Sequence, residues 1–94
     1  MPAYSVAICT VNDPQKYQEY AKAAGPAVAK FGGKFVARCA NPSVMEGSFD
    51  YEKMVIVEFP DVETAKRYFH SPEYQEARAM RIGAADFNLI IFET

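Results

Sequence analysis

His70 is the one histidine of the chain, and imidazole is the side chain best suited to acid–base work near neutral pH. It stands between an amphipathic stretch and Ser71-Pro72, which restrict the backbone immediately after it. Two readings follow. His70 is either a catalytic acid or base at a pocket, or a helix-end cation that complements the helix dipole. Arg38 lies in KFVARC, among Phe, Val, Ala and Cys. A guanidinium there sits at a solvated sheet edge or is aimed at an anionic group of a ligand. Tyr74, one turn beyond Pro72, offers an aromatic wall with a hydroxyl, or simply core. Arg81 follows on the same short helix and is a candidate ligand-binding residue; with Arg78 it also fits ordinary surface ion pairing. Glu58, the one polar residue between Met54 and Phe59, is a buried general base, a carboxylate near a fraying strand end, or a group paired with an arginine of a second chain.

No established catalytic pattern absorbs these residues. A Ser-His-Asp order, a metal-ligand cluster and a dinucleotide fingerprint are all missing, so no metal and no cofactor is expected. Gly32-Gly33-Lys34 lacks the flanking glycine and Lys-Ser/Thr spacing of a phosphate loop. Ten basic against twelve acidic side chains give a net charge of −2 without a basic stripe, which disfavours nucleic acid as a partner. The apolar runs fall short of the roughly 18 residues a membrane span needs. The N-terminal MPAYSVAIC has no charged n-region and passes straight into a strand-like pattern, so a cytoplasmic location is expected.

The elements that must position these residues can be read in order. The 94 residues, half of them hydrophobic and 14% aromatic, suit one packed domain over residues 1–94. Tyr4–Val11 is a first strand, rich in β-branched and aromatic residues. Asp13 caps a helix that Pro14 can enter, and Tyr17, Tyr20, Ala21, Ala24, Val28 and Phe31 recur at helical spacing on its inner face. Gly25-Pro26 is expected to kink or break that helix, and Gly32-Gly33 to stop it. Lys34–Cys39 is a second strand, with a brief resumption at Val44-Met45. Lys53–Phe59 is apolar on both faces and reads as a central strand. Asp61 caps the next helix, with Val62, Ala65, Tyr68 and Phe69 on its inner face. Ser71-Pro72 interrupts it and starts a short helix ended by Gly83. Asp86–Glu93 is the last strand, with Phe87, Leu89 and Ile91 on one face and Ile90 and Phe92 on the other.

This β-α-β-β-α-β order predicts an α+β, ferredoxin-like fold: an antiparallel sheet in the order 4-1-3-2 with the helices on one face. The first and second strands are then about 9–10 Å apart, beyond the roughly 7 Å a disulfide tolerates, so Cys9 and Cys39 should be free. Asn12, Arg38, His70 and Asp86 are expected at one end of the fold. The face left bare by the helices carries several aliphatic and aromatic side chains, more than a monomer usually exposes. A second copy packing sheet to sheet is the expected partner.

Asp13-Pro14 with Tyr17 and Tyr20, Phe31-Gly32-Gly33-Lys34-Phe35, Arg38, Glu46-Gly47, Val57-Glu58-Phe59-Pro60 and above all His70-Ser71-Pro72-Glu73-Tyr74-Gln75 carry a resemblance over almost the full length. The chain resembles the bacterial domain of unknown function 1330, within the dimeric α+β barrel superfamily. The resemblance implies a homodimer in which two sheets close into a barrel. It implies no reaction, although relatives in the superfamily include cofactor-independent monooxygenases and isomerases. Three functions stand: a module binding a small aromatic or carboxylated metabolite between sheet and helices; a cofactor-independent enzyme using His70, with Arg38 as anion anchor; and a structural or regulatory dimer.

Overall fold

The computed structural model describes residues 1–94. The chain runs β1 (Ala3–Val11), α1 (Pro14–Lys30), β2 (Lys34–Ala40), β3 (Lys53–Phe59), α2 (Val62–His70), α3 (Pro72–Arg81) and β4 (Ala85–Glu93). The strands form one sheet in the order β2-β3-β1-β4, every neighbouring pair antiparallel. This is the expected order read from the other edge, and the fold is α+β and ferredoxin-like. No helix is long and apolar enough to cross a membrane.

Each helix begins where a side chain can take up a free backbone N–H. Asp13 accepts from the Lys16 amide, Asp61 from that of Thr64 and Ser71 from that of Tyr74. Pro14 and Pro72 sit in the first turns of α1 and α3, where their missing N–H costs nothing. The Ser71 hydroxyl also donates to the Tyr68 carbonyl at 2.7 Å, so one residue ends α2 and starts α3. At the end of α1, Gly33 N–H bonds the Val28 carbonyl and Gly32 N–H that of Ala29. Gly32, at φ +73°, supplies the left-handed step that this stop requires.

Two expectations need correction. Of the kink or break expected at Gly25-Pro26, the break does not occur: α1 continues across it to Lys30. Pro26 removes one helical hydrogen bond, but its acceptor is the carbonyl of Lys22, and both residues are exposed, so water can serve it. Val44-Met45 does not resume a strand; both side chains are exposed in the loop between β2 and β3.

The register sorts the sheet into two faces. Val55, Val57 and Phe59 of β3 stand beside Ala3, Ser5 and Ala7 of β1, and these beside Leu89 and Ile91 of β4. Tyr20, Ala24, Ala27 and Val28 of α1, Ala65 and Tyr68 of α2, and Tyr74 and Ala77 of α3 pack over this face and form the core. α2 lies against β1, β3 and β4, whereas α1 makes its close approach to α3. The opposite face presents Tyr4, Val6, Ile8, Met54, Ile56, Ile90 and Phe92, with no helix over it. Cys9 is buried, Cys39 exposed, and both are free.

Gly33 lies where α1 turns into β2 over the core. A Cβ there would stand 2.7 Å from Val28 Cγ1 and 2.9 Å from Phe59 Cε1. Gly33→Ala is expected to cost about 1–3 kcal/mol through overpacking, read as a lowered urea midpoint. An unchanged midpoint would mean that this corner yields freely.

Candidate ligand-binding site

The backbone of α1 approaches α3 more closely than it approaches the strands, and a cavity of about 560 Å³ remains between it and the sheet. That volume is in the range of small-molecule sites. Its roof is Tyr17, Tyr20, Ala21, Lys22, Ala24 and Val28 of α1. Its base is Ser5 and Ala7 of β1, Phe35, Arg38, Cys39 and Ala40 of β2, Lys53, Val55 and Val57 of β3, and Phe87 and Leu89 of β4. Tyr68 and Tyr74 close the inner end. The space exists because alanine and serine occupy Ser5, Ala7, Ala21 and Ala24, where larger side chains would fill it. The lining residues of β2, together with Ala21 and Lys22, are exposed, so the cavity opens between the β2 edge and α1.

Arg38 reaches this mouth through an irregularity of β2. In a regular strand, positions 35 and 38 point to opposite faces. A register shift between Phe35 and Ala37 places Phe35 across from Val57 and Arg38 across from Val55, which share a face. The bulge thus turns Arg38 toward the helices, where its guanidinium stacks on the Phe35 ring at 4.0 Å. Lys22 and Lys53 join it, the latter over the Tyr17 ring at 5.3 Å. No carboxylate lines the cavity.

The inner end is aromatic. Tyr74, 1% exposed, touches the rings of Tyr68, Phe69 and Tyr20 at centroid distances of 4.7, 5.5 and 6.2 Å. Its hydroxyl lies 3.1 Å from that of Tyr20 and accepts from Arg81 Nη2 at 3.3 Å. Burial pushes the Tyr20 and Tyr68 phenols well above the ordinary phenol range. Burial does the same for Tyr17, whose oxygen accepts from the Cys9 thiol. All three are therefore neutral donors at physiological pH.

The residues singled out by sequence separate into two groups. Arg38 and Tyr74 line the cavity. Arg81 stands directly behind its wall and is 7% exposed, not a surface ion-pairing residue. Its guanidinium carbon lies over the Phe87 ring, 3.6 Å from the centroid, so the long side chain folds inward over the aromatic end. His70 is exposed at the end of α2, in edge contact with Phe69, and is not among the lining residues.

The expected meeting of His70 with Arg38, Asn12 and Asp86 at one end does not occur. α2 spans only nine residues before Ser71 interrupts it, and α3 completes the traverse of the sheet. Glu73, at the start of α3, pairs with Lys30 at the far end of α1, while the Ile82 carbonyl accepts from Lys16 near its start. Asn12 bonds Ala84 at that second end, remote from His70. Glu58 stands across from Tyr4 and Lys34, on the face away from the cavity. Tyr17, Tyr20, Tyr68, Lys22 and Lys53 were not singled out as site residues. The signal was present: phenols, not phenyl rings, at inner helix positions bring hydroxyls that need partners.

Neutral buried phenols also set an alkaline limit on the fold. An unfolded chain ionises its phenols near pH 10, whereas the folded chain holds Tyr17, Tyr20 and Tyr68 protonated above that. Their stabilisation is complete below pH about 10 and is lost as pH rises toward the folded values. Phenolate absorbance from these three residues should therefore appear together with loss of circular dichroism, not before it.

Comparison with known proteins agrees with this architecture. A protein of unknown function from Rhodopseudomonas palustris, RPA0582, superposes with a TM-score of 0.80 at 23% identity, over 99% of this chain and 82% of that one. A dimeric ferredoxin-like protein of unknown function from Jannaschia sp. CCS1 gives 0.80 at 14% identity, over the whole of both chains. SnoaB, a cofactor-independent oxygenase from Streptomyces nogalater, gives 0.70 at 16% identity, over 99% of this chain and 92% of that one. At such identities these likenesses show the fold alone. No curated protein matches the sequence. The family model described as domain of unknown function (DUF1330) matches residues 2–94, and the chain belongs to that family.

Proposed function

We propose that this protein is a cytoplasmic homodimer, each copy one domain, that binds a small aromatic, carboxylated metabolite in the cavity between α1 and the sheet. The lining carries this reading: fifteen of its nineteen residues are hydrophobic, the remainder being Ser5, Lys22, Arg38 and Lys53. Three cations and no carboxylate, in a chain of net charge −2, favour an anion. The aromatic floor favours a flat, apolar body. Arg38 is the side chain suited to hold a carboxylate, since its planar fork matches the two oxygens. In a thermal-shift screen, aromatic carboxylates should raise the melting temperature while their amides do so far less. Arg38→Gln should weaken the best ligand by about 1–3 kcal/mol, and His70→Ala should leave it unchanged. Stabilisation only by neutral or cationic compounds would reject the reading.

The dimer is supported by the uncovered face of the sheet, where Ile90 is 61% and Phe92 45% exposed. Apolar surface of that extent is seldom left to water, and similar folds are dimeric. Sedimentation at micromolar concentration should give twice the chain mass. Ile90→Glu should dissociate the dimer with the fold retained, whereas Ile91→Glu, across from buried Ser5 on the helix side, should unfold it. A stable wild-type monomer would remove the interface.

A second reading is that the cavity also turns its ligand over without a cofactor, and the fold shared with SnoaB favours keeping it. In that case the groups lining the ligand's space are the tyrosine hydroxyls, the Ser5 hydroxyl, the Cys39 thiol and the cations Lys22, Arg38 and Lys53. His70 then stands in the last turn of α2, exposed and outside the cavity lining.

A further inference from the structure

Arg81 is the buried charge that the anion-binding reading leaves unexplained. The one ion pair of the chain is Lys30–Glu73, so Arg81 has no carboxylate partner. Its Nε is buried without a hydrogen-bond partner. The groups facing it are Tyr17 and Tyr20 from α1, Tyr68 from α2, Tyr74 from its own helix and the Phe87 ring from β4. Taking a cation out of water without an anion is costly. Burial pulls the guanidinium down, but the hydrogen bond to Tyr74 and the neighbouring phenols outweigh it, so the charge is kept.

A count of protons shows where that charge is directed. Arg81 donates to the Tyr74 oxygen. Tyr74 and Tyr20 then share one hydrogen bond, whichever of them donates. Two phenolic protons are available and one is used, so one is left. Both hydroxyls belong to residues that line the cavity. One O–H is thus free for a bound molecule, with a buried cation behind it polarising the chain of donors.

Resting on the proposed anion-binding cavity, we infer that its inner end is a second polar subsite, where Tyr20 and Tyr74, backed by Arg81, take the oxygen of a hydroxyaromatic ligand in its phenolate form. The preferred ligand is then an aromatic ring bearing a hydroxyl as well as a carboxylate. On binding, the ligand's O–H bond breaks heterolytically, its proton passes to solvent buffer, and the oxygen keeps the electron pair. Tyr20 stays protonated, because burial holds its phenol above the ordinary range.

The probes are 4-nitrophenol, whose phenolate absorbs in the visible; 4-nitroanisole, which cannot ionise; and 4-nitrobenzoate, which carries only the carboxylate. Bound 4-nitrophenol should show a pKa at least about one unit below its value in water, a roughly tenfold preference for the anion. Arg81→Met should abolish the shift and weaken 4-nitrophenol far more than 4-nitroanisole. Should Arg81→Met fail to fold, the Tyr20→Phe/Tyr74→Phe pair removes the donors and keeps the rings, and it should lose the shift in the same way. Binding of 4-nitrophenol without a shift, or a shift that survives these variants, overturns the inference; binding of 4-nitrobenzoate would still uphold the anion-binding cavity. Failure of all three probes to bind overturns both.

Discussion

The burial of Tyr74 is the constraint on which the helical layer and the cavity both depend. The Ser71 hydroxyl ends α2 by donating to the Tyr68 carbonyl and caps the restart by accepting from the Tyr74 amide, with Pro72 in the first turn of α3, where its missing N–H costs nothing. Tyr74 is thereby aimed inward at the first turn of α3. There it packs on Tyr68 and Phe69 of the preceding helix and on Tyr20 of α1. A ring of this size, almost fully buried, is a large part of the apolar burial available to a chain of this length. Three helices are thus tied together by one side chain at the inner end of the cavity. α1 finds its support on α3, and the space beneath it is left open.

That open space opposes stability in the unliganded protein. Core interiors are close-packed, and a void lined by Ala7, Ala24, Val55 and Leu89 forfeits contacts that a larger residue would supply. Alanine at these positions therefore gives up packing, and the same choice allows an aromatic guest to recover it. The bulge in β2 acts in the same direction. It disrupts a stretch of ladder pairing between Phe35 and Ala37, and in exchange Arg38 faces the helices. A strand built only for stability would not need it. The two departures from ideal packing converge on one volume, which is the physical case for a binding site.

Most of the fold was legible in the sequence because its signals are local. Asp13, Asp61 and Ser71 cap the helices they precede, Gly32 takes the left-handed step, and β3 occupies the residues that its apolar run suggests. The candidate site was less legible because it depends on non-local geometry. Pro26 predicts a break only if its lost hydrogen bond must be made within the protein, and an exposed helix face removes that condition. Arg38 reaches the cavity through a bulge that nothing in KFVARC announces. Arg81 has the sequence context of a surface charge, and only the meeting of Phe87, Tyr20 and Tyr74 from three elements buries it. His70 drew attention by its rarity and its chemistry. Which helix completes the traverse of the sheet decided its position, and a nine-residue α2 left that to α3.

The alternation of the strands joins the two halves of the proposed function. Along β3, Val55 and Val57 line the cavity while Met54 and Ile56 lie on the bare face; along β4, Leu89 lines the cavity while Ile90 and Phe92 lie on the other side. In the proposed function, adjacent residues of one backbone thus serve ligand and interface in turn. A strand shifted by one residue would exchange the two sets entirely, so the register that makes one surface makes the other. Packing a second copy against Ile90 and Phe92 restrains the same strands whose alternate side chains form the base of the cavity. Any ordering of those strands on dimerisation is ordering that the ligand need not supply, and by linkage an occupied cavity favours the dimer to the same degree.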